Sequence, residues 1–134
     1  MKLHIALIVL YSLLALCACS PISAPAATSA EPLTIPRAVV KEFLVEPLRS
    51  ILLAEAIDGI TRVWLDESGS DGHFENKTQT YSVNGCPLAG SPLQAGDAIK
   101  VIGRLDETSG RLIAETIWML NIHIEDACTG PPAE

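Results

Sequence analysis

The stretch Ala98-Ile-Lys-Val-Ile-Gly-Arg-Leu-Asp-Glu-Thr-Ser-Gly-Arg-Leu-Ile-Ala-Glu-Thr-Ile-Trp-Met-Leu120 decides what kind of fold to expect. Over Ala98–Leu105 the side chains alternate, with Ile99, Val101 and Leu105 on one face and Lys100 and Arg104 on the other. That period of two is the mark of a half-buried strand. Asp106-Glu-Thr-Ser-Gly110 supplies turn formers, with glycine where a positive φ is wanted. Arg111–Leu120, rich in β-branched and aromatic residues, reads as the returning strand.

Working outward, Gln79-Thr-Tyr-Ser-Val-Asn84 is a further strand, ended by Asn84-Gly85. Ile51–Asp58 and Ile60–Leu65 read together as one long strand bent at Gly59, where a bulge is tolerated. Within Arg37–Leu48 the apolar positions Val40, Phe43, Leu44 and Leu48 have helical spacing, but Pro47 would break a helix. The expectation there is a short helix or an irregular lead-in. The whole reads as mainly β: a small five-stranded OB-like barrel behind a cleaved signal peptide and a flexible linker.

Three pieces of this pattern carry a resemblance: Ser82-Val-Asn-Gly85, Leu93-Gln-Ala-Gly-Asp-Ala-Ile-Lys-Val-Ile-Gly-Arg-Leu105 and Gly110-Arg-Leu-Ile-Ala-Glu-Thr-Ile117. In that order they are similar to a family of small exported bacterial domains with an OB-like barrel and no assigned function. The match spans residues 50–120 and departs at the polar insert Asp66–Lys77 and in the Cys86/Cys128 pair. It implies a fold and a compartment, and no chemistry.

The chain has 134 residues, 49% of them hydrophobic, 4% aromatic and 19% charged, with a net charge of −7. Its mean hydropathy of +0.32 is high for a soluble domain, and the apolar excess is concentrated at the start. Lys2 precedes an apolar run from Ile5 to Ala18 interrupted only by Ser12, the pattern of an export signal and short for a membrane-spanning helix. Leu16-Cys17-Ala18-Cys19-Ser20 resembles the lipobox of bacterial lipoproteins. The resemblance implies cleavage after Ala18 and a diacylglycerol on Cys19. Ser20, where aspartate would retain the product at the inner membrane, implies the outer membrane, facing the periplasm.

The expected organisation is a signal peptide over 1–18, a lipidated N-terminus and linker over 19–36, a barrel over 37–128 and a disordered tail over 129–134. Residues 20–36 contain four prolines and no apolar period, so they cannot bury enough surface to offset their ordering entropy. Removing the signal takes one lysine and leaves eight basic against sixteen acidic residues, a net of −8. That balance argues against nucleic-acid binding, which needs cations to displace counterions from phosphates. Cys17 leaves with the signal and Cys19 takes the lipid. The remaining Cys86 and Cys128, in an oxidising compartment, are expected to form a disulfide.

Chemistry is sparse. No nucleophile elbow, zinc-protease helix, P-loop or dinucleotide fingerprint occurs, so neither enzymatic activity nor a cofactor is expected. Asp71, His73 and Glu75 would share one face of an extended segment and make a weak cation-site candidate; a solvated loop is the stronger reading. His123 and Glu125 form a similar pair, expected at a solvated strand end. Trp64, Tyr81 and Trp118 suit core packing better than a stacking surface. The expected role is a lipid-anchored binding or structural module of the envelope. Its alternatives are a binder of envelope glycan, cation or peptide, and an accessory subunit of an envelope protein complex.

Overall fold

The computed structural model describes residues 31–68, 75–89 and 93–134. The signal peptide, Cys19, Asp71 and His73 lie outside the described residues. No helix occurs among those described. The elements are β1 (Leu33–Leu44), β2 (Ser50–Ile57), β3 (Ile60–Leu65), β4 (Glu67–Ser68), β5 (Glu75–Asn76), β6 (Gln79–Ser82), β7 (Ala98–Asp106) and β8 (Arg111–Met119). Five of them close a barrel: β1 pairs with β2 and β7, β2 with β3, β7 with β8, and β3 runs parallel to β8. This is the OB-like barrel expected from the strand pattern, with β6 as one extra strand.

Membership of the barrel differs from expectation. Of residues 37–48, read as a helix or lead-in, 37–44 belong instead to β1, a strand paired on both edges, and 45–48 form the irregular β1–β2 connection. The physical reason is two bulges. The register shifts between Ile35 and Ala38 against β7, and between Val40 and Glu42 against β2. Inward residues therefore fall at Ile35, Ala38 and Val40, with half-buried Phe43 next. Spacings of three, two and three imitate a helical period. Pro36, which cannot donate to a ladder, sits inside the first bulge. The strand also begins at Leu33, inside the segment read as a tether.

The long bent strand is in fact a hairpin. Asp58 (φ 50°) and Gly59 (φ 82°) both lie in the left-handed region and reverse the chain, so that Ile57 faces Ile60. Two successive positive φ values are what a tight hairpin turn requires, and Asp-Gly is the usual pair there. The 98–120 hairpin is as expected, including Gly110 at φ 68°. Leu105, assigned to the buried face, is 44% exposed. A register shift between Ile102 and Gly103 precedes it, and the strand runs out past the core toward the turn.

The barrel interior is filled from every wall: Ile35 and Val40 from β1, Ile51 from β2, Val63 from β3, Ile99 and Val101 from β7, and Leu112, Ile117 and Met119 from β8, all at most 2% exposed. Full burial of such a side chain contributes about 1.5–3 kcal/mol each. Gly103 is required by closeness, since a Cβ would run into the Ile113 carbonyl oxygen of the neighbouring strand.

One edge of β8 serves two parallel partners in succession, β3 along Leu112–Ala114 and β6 along Thr116–Met119. Between them the chain makes the β4–β5 ribbon, in which Glu67 faces Asn76. Thr78 closes the gap. Its buried hydroxyl donates to the Ala114 carbonyl (2.7 Å) and accepts from the Asp66 N–H (2.7 Å).

Candidate functional site

An opening lies at the end of the barrel where β1 and β3 stop and β6 starts. It is a cavity of about 570 Å³, with Phe43, Leu65, Leu88 and Leu93 as its apolar lining and Arg49, Asn76, Gln79 and Thr80 as polar groups. Small-molecule sites commonly occupy about 300–1,000 Å³ and combine an apolar lining with a few placed polar groups. The β1–β2 connection supplies Arg49, which Glu67 fixes from the ribbon: Nε lies 3.0 Å from Oε1, and the Arg49 backbone N–H donates to Oε2 at 3.2 Å. The wall is thus built by the same Asp66–Thr78 excursion that carries the weak cation candidate. A second, smaller groove of about 460 Å³ runs along β1 and β2, past Arg37, Val39, Glu55 and Ile57.

Of the cation candidate, Asp71 and His73 fall outside the described residues. Glu75 is exposed on β5, where its backbone faces Ser68. Among the described residues no three His, Cys, Asp or Glu side chains gather as a metal would need. His123 and Glu125 are exposed in the irregular segment after β8 and not at a strand end.

The three aromatic residues separate. Trp118 is 4% exposed, with Tyr81 beside it at 6.2 Å between ring centroids. The cover over this pair is the C-terminal segment read as a disordered tail. Trp118 Nε1–H donates to the Pro131 carbonyl (2.8 Å), and Lys100 Nζ donates to the carbonyls of Ala133 (2.9 Å) and Glu134 (2.7 Å). Backbone bonds from Gly130 N–H to Gly85 O and from Ala133 N–H to Val83 O complete the attachment. Gly130 crosses so close to Gly85 and the Tyr81 ring that a Cβ at either glycine would collide. Composition alone suggested fraying. The partners that hold the segment are distant in sequence and invisible to a local reading.

Cys86 and Cys128 come together as a disulfide pair, with Cα atoms 4.7 Å apart, at the root of this strap. Asn84 supports the junction, donating from Nδ2 to the Ile124 carbonyl (2.6 Å) and accepting the Ile124 N–H (3.2 Å).

Trp64 stands apart, half-buried on the outer wall with two guanidinium groups over its ring, Arg111 at 4.2 Å and Arg62 at 5.3 Å from the centroid. On the same wall Arg104 bridges Asp66 (3.1 Å) and Glu115 (3.3 Å). The hydrogen bond to Asp66 raises the Arg104 pKa further, so it stays protonated. Neither the cavity nor the Arg–Trp cluster was legible as a set, because each draws residues from strands far apart in the chain. The one available signal was Arg62-Val-Trp64, alternate residues of one strand and hence neighbours on one face.

Comparison with protein-family models, curated proteins and solved structures returned no match to this chain.

Proposed function

We propose that this chain is a lipid-anchored envelope protein, held at the outer membrane through Cys19, whose barrel acts as a non-enzymatic ligand-binding module. The observation that carries the binding half is the open cavity of about 570 Å³ at the barrel end. Its size suits a small molecule or one end of a glycan or peptide, and its lining offers apolar contact beside amide and guanidinium donors. The accessory-subunit alternative finds less support. The barrel leaves no unpaired edge among its five strands, and β6 is capped by its own return, Leu88 N–H to Thr80 O. Among the described residues the large exposed apolar ones are Val39 on β1, Val45 in the β1–β2 connection and Leu105 on β7.

Two measurements test the proposal. Mass spectrometry of the mature N-terminus should find a diacylated Cys19; an unmodified terminus at another residue overturns the anchor. Native mass spectrometry of protein purified from membranes should show a bound small-molecule adduct. Ala89→Trp, which fills the cavity from its exposed rim, should remove that adduct. Absence of an adduct, or its persistence in the variant, overturns the binding role.

A further inference from the structure

The outer wall at the junction of β3 and β8 carries a second arrangement that shares no residue with the cavity. Arg62 and Trp64 are alternate residues of β3, and Arg111 begins β8, whose next residue, Leu112, faces Val63. The pairing thus sets both guanidinium groups over one indole, at 5.3 and 4.2 Å from its centroid. Cations over an aromatic face are attracted by its quadrupole, and a stacked guanidinium keeps its in-plane N–H groups directed away from the ring.

What distinguishes the pair is that two cations meet over one ring, in an acidic domain, without an ion pair of their own among the described residues. Arg49 is bound by Glu67, Arg104 by Asp66 and Glu115, and Lys100 by two carbonyls. Arg62 and Arg111 enter none of the ion pairs or side-chain hydrogen bonds among the described residues. The carboxylate opposite Arg111 in register is Asp106. It attracts Arg111 through space without an ion pair, its oxygens being held by the Thr108 and Ser109 N–H groups and by the Ser109 hydroxyl. Two like charges drawn to one ring repel each other, and the donor forks they present match an oxyanion.

We propose that Arg62, Trp64 and Arg111 form a binding site for an oxyanion, the phosphate or carboxylate group of a small ligand. The indole orients the two forks and the anion neutralises them. The site is independent of the cavity, so either can fail without the other.

The test is an NMR titration of the full chain, followed at the Trp64 indole N–H and the arginine Nε–H signals. The probes are inorganic phosphate in one arm and glucuronate in the other, at constant ionic strength set with chloride. A saturable shift in either arm is expected, with Kd on the order of 1 mM. The arm that responds identifies the oxyanion class. Arg62→Ala and Arg111→Ala should each weaken binding about tenfold, and Arg111→Lys should restore part of it, since lysine keeps the charge and loses the fork. Lys41→Ala removes the same charge from β1 and should leave the affinity unchanged. No saturable shift in either arm at about 20 mM overturns the site, as does a loss in Lys41→Ala equal to that in the arginine variants.

Discussion

Gly103 and Gly59 illustrate two different reasons for a residue to lack a side chain. At Gly103 the backbone angle is ordinary and the space is not, since a Cβ would meet the Ile113 carbonyl. Gly103→Ala should therefore destabilise by about 1–3 kcal/mol, as overpacking does. At Gly59 the space is open, but φ is 82°. Gly59→Ala should cost about 1 kcal/mol through backbone strain alone. Thermal unfolding separates the two, because each kcal/mol moves Tm by roughly 4–8 °C in a domain of about this size. Asp106 offers a pH readout. The Ser109 hydroxyl, followed by the Thr108 and Ser109 N–H groups, holds its carboxyl below the ordinary 3.8. A depressed carboxylate contributes stability above its unfolded pKa and loses it as pH falls through the folded value. An NMR acid titration should place the Asp106 midpoint below 3.8, and Ser109→Ala should move it upward.

At the scale of elements, the β4–β5 ribbon and the C-terminal strap are both attached by polar groups reaching across the sequence. Thr78 bonds both legs of the ribbon to β8 while buried. Thr78→Val keeps the shape and leaves the Asp66 N–H and the Ala114 carbonyl without this partner. A loss of about 1–3 kcal/mol in denaturant unfolding is expected, from the cost of an unmet buried polar group. The strap covers Trp118, whose indole N–H donates to Pro131. Truncation after Cys128 should shift Trp118 emission to longer wavelength and expose Tyr81, with the barrel strands retained. A spectrum unchanged by the truncation would show that the strap does not cover the ring in solution.

For the molecule as a whole, the barrel closes only because β3 lies parallel against β8, a contact made after the chain has left and returned. The Cys86–Cys128 disulfide, separated by 42 positions, constrains this long-range topology from outside the barrel. A closed loop of that length limits the unfolded chain by about 4 kcal/mol in the entropic account. Replacing both cysteines by serine should lower unfolding stability by about 2–5 kcal/mol, with the strap loosened first. Hydrogen exchange should show faster exchange at Gly130 and Ala133 than at Ile99 or Ile117 in that variant.

Local pattern was enough for the class of fold. The alternation of Ile99 and Val101, the Gly110 turn and the β-rich return of 111–119 are decided within a few residues of each other, where strand period and turn chemistry act directly. The cysteine count likewise singled out Cys86 and Cys128. What the sequence could not carry was membership and contact. The bulges of β1 disguised a period of two as a helical one, and Asp58-Gly59 read as a bend until both edges of the hairpin were paired. The strap looked frayed until Trp118, Lys100 and Gly85 supplied its partners. The cavity and the Arg62–Trp64–Arg111 cluster exist only where the closed barrel brings distant strands together. Backbone periodicity is a local property of the chain, whereas edge pairing, burial and charge compensation depend on which surfaces meet, and only the tertiary structure decides that.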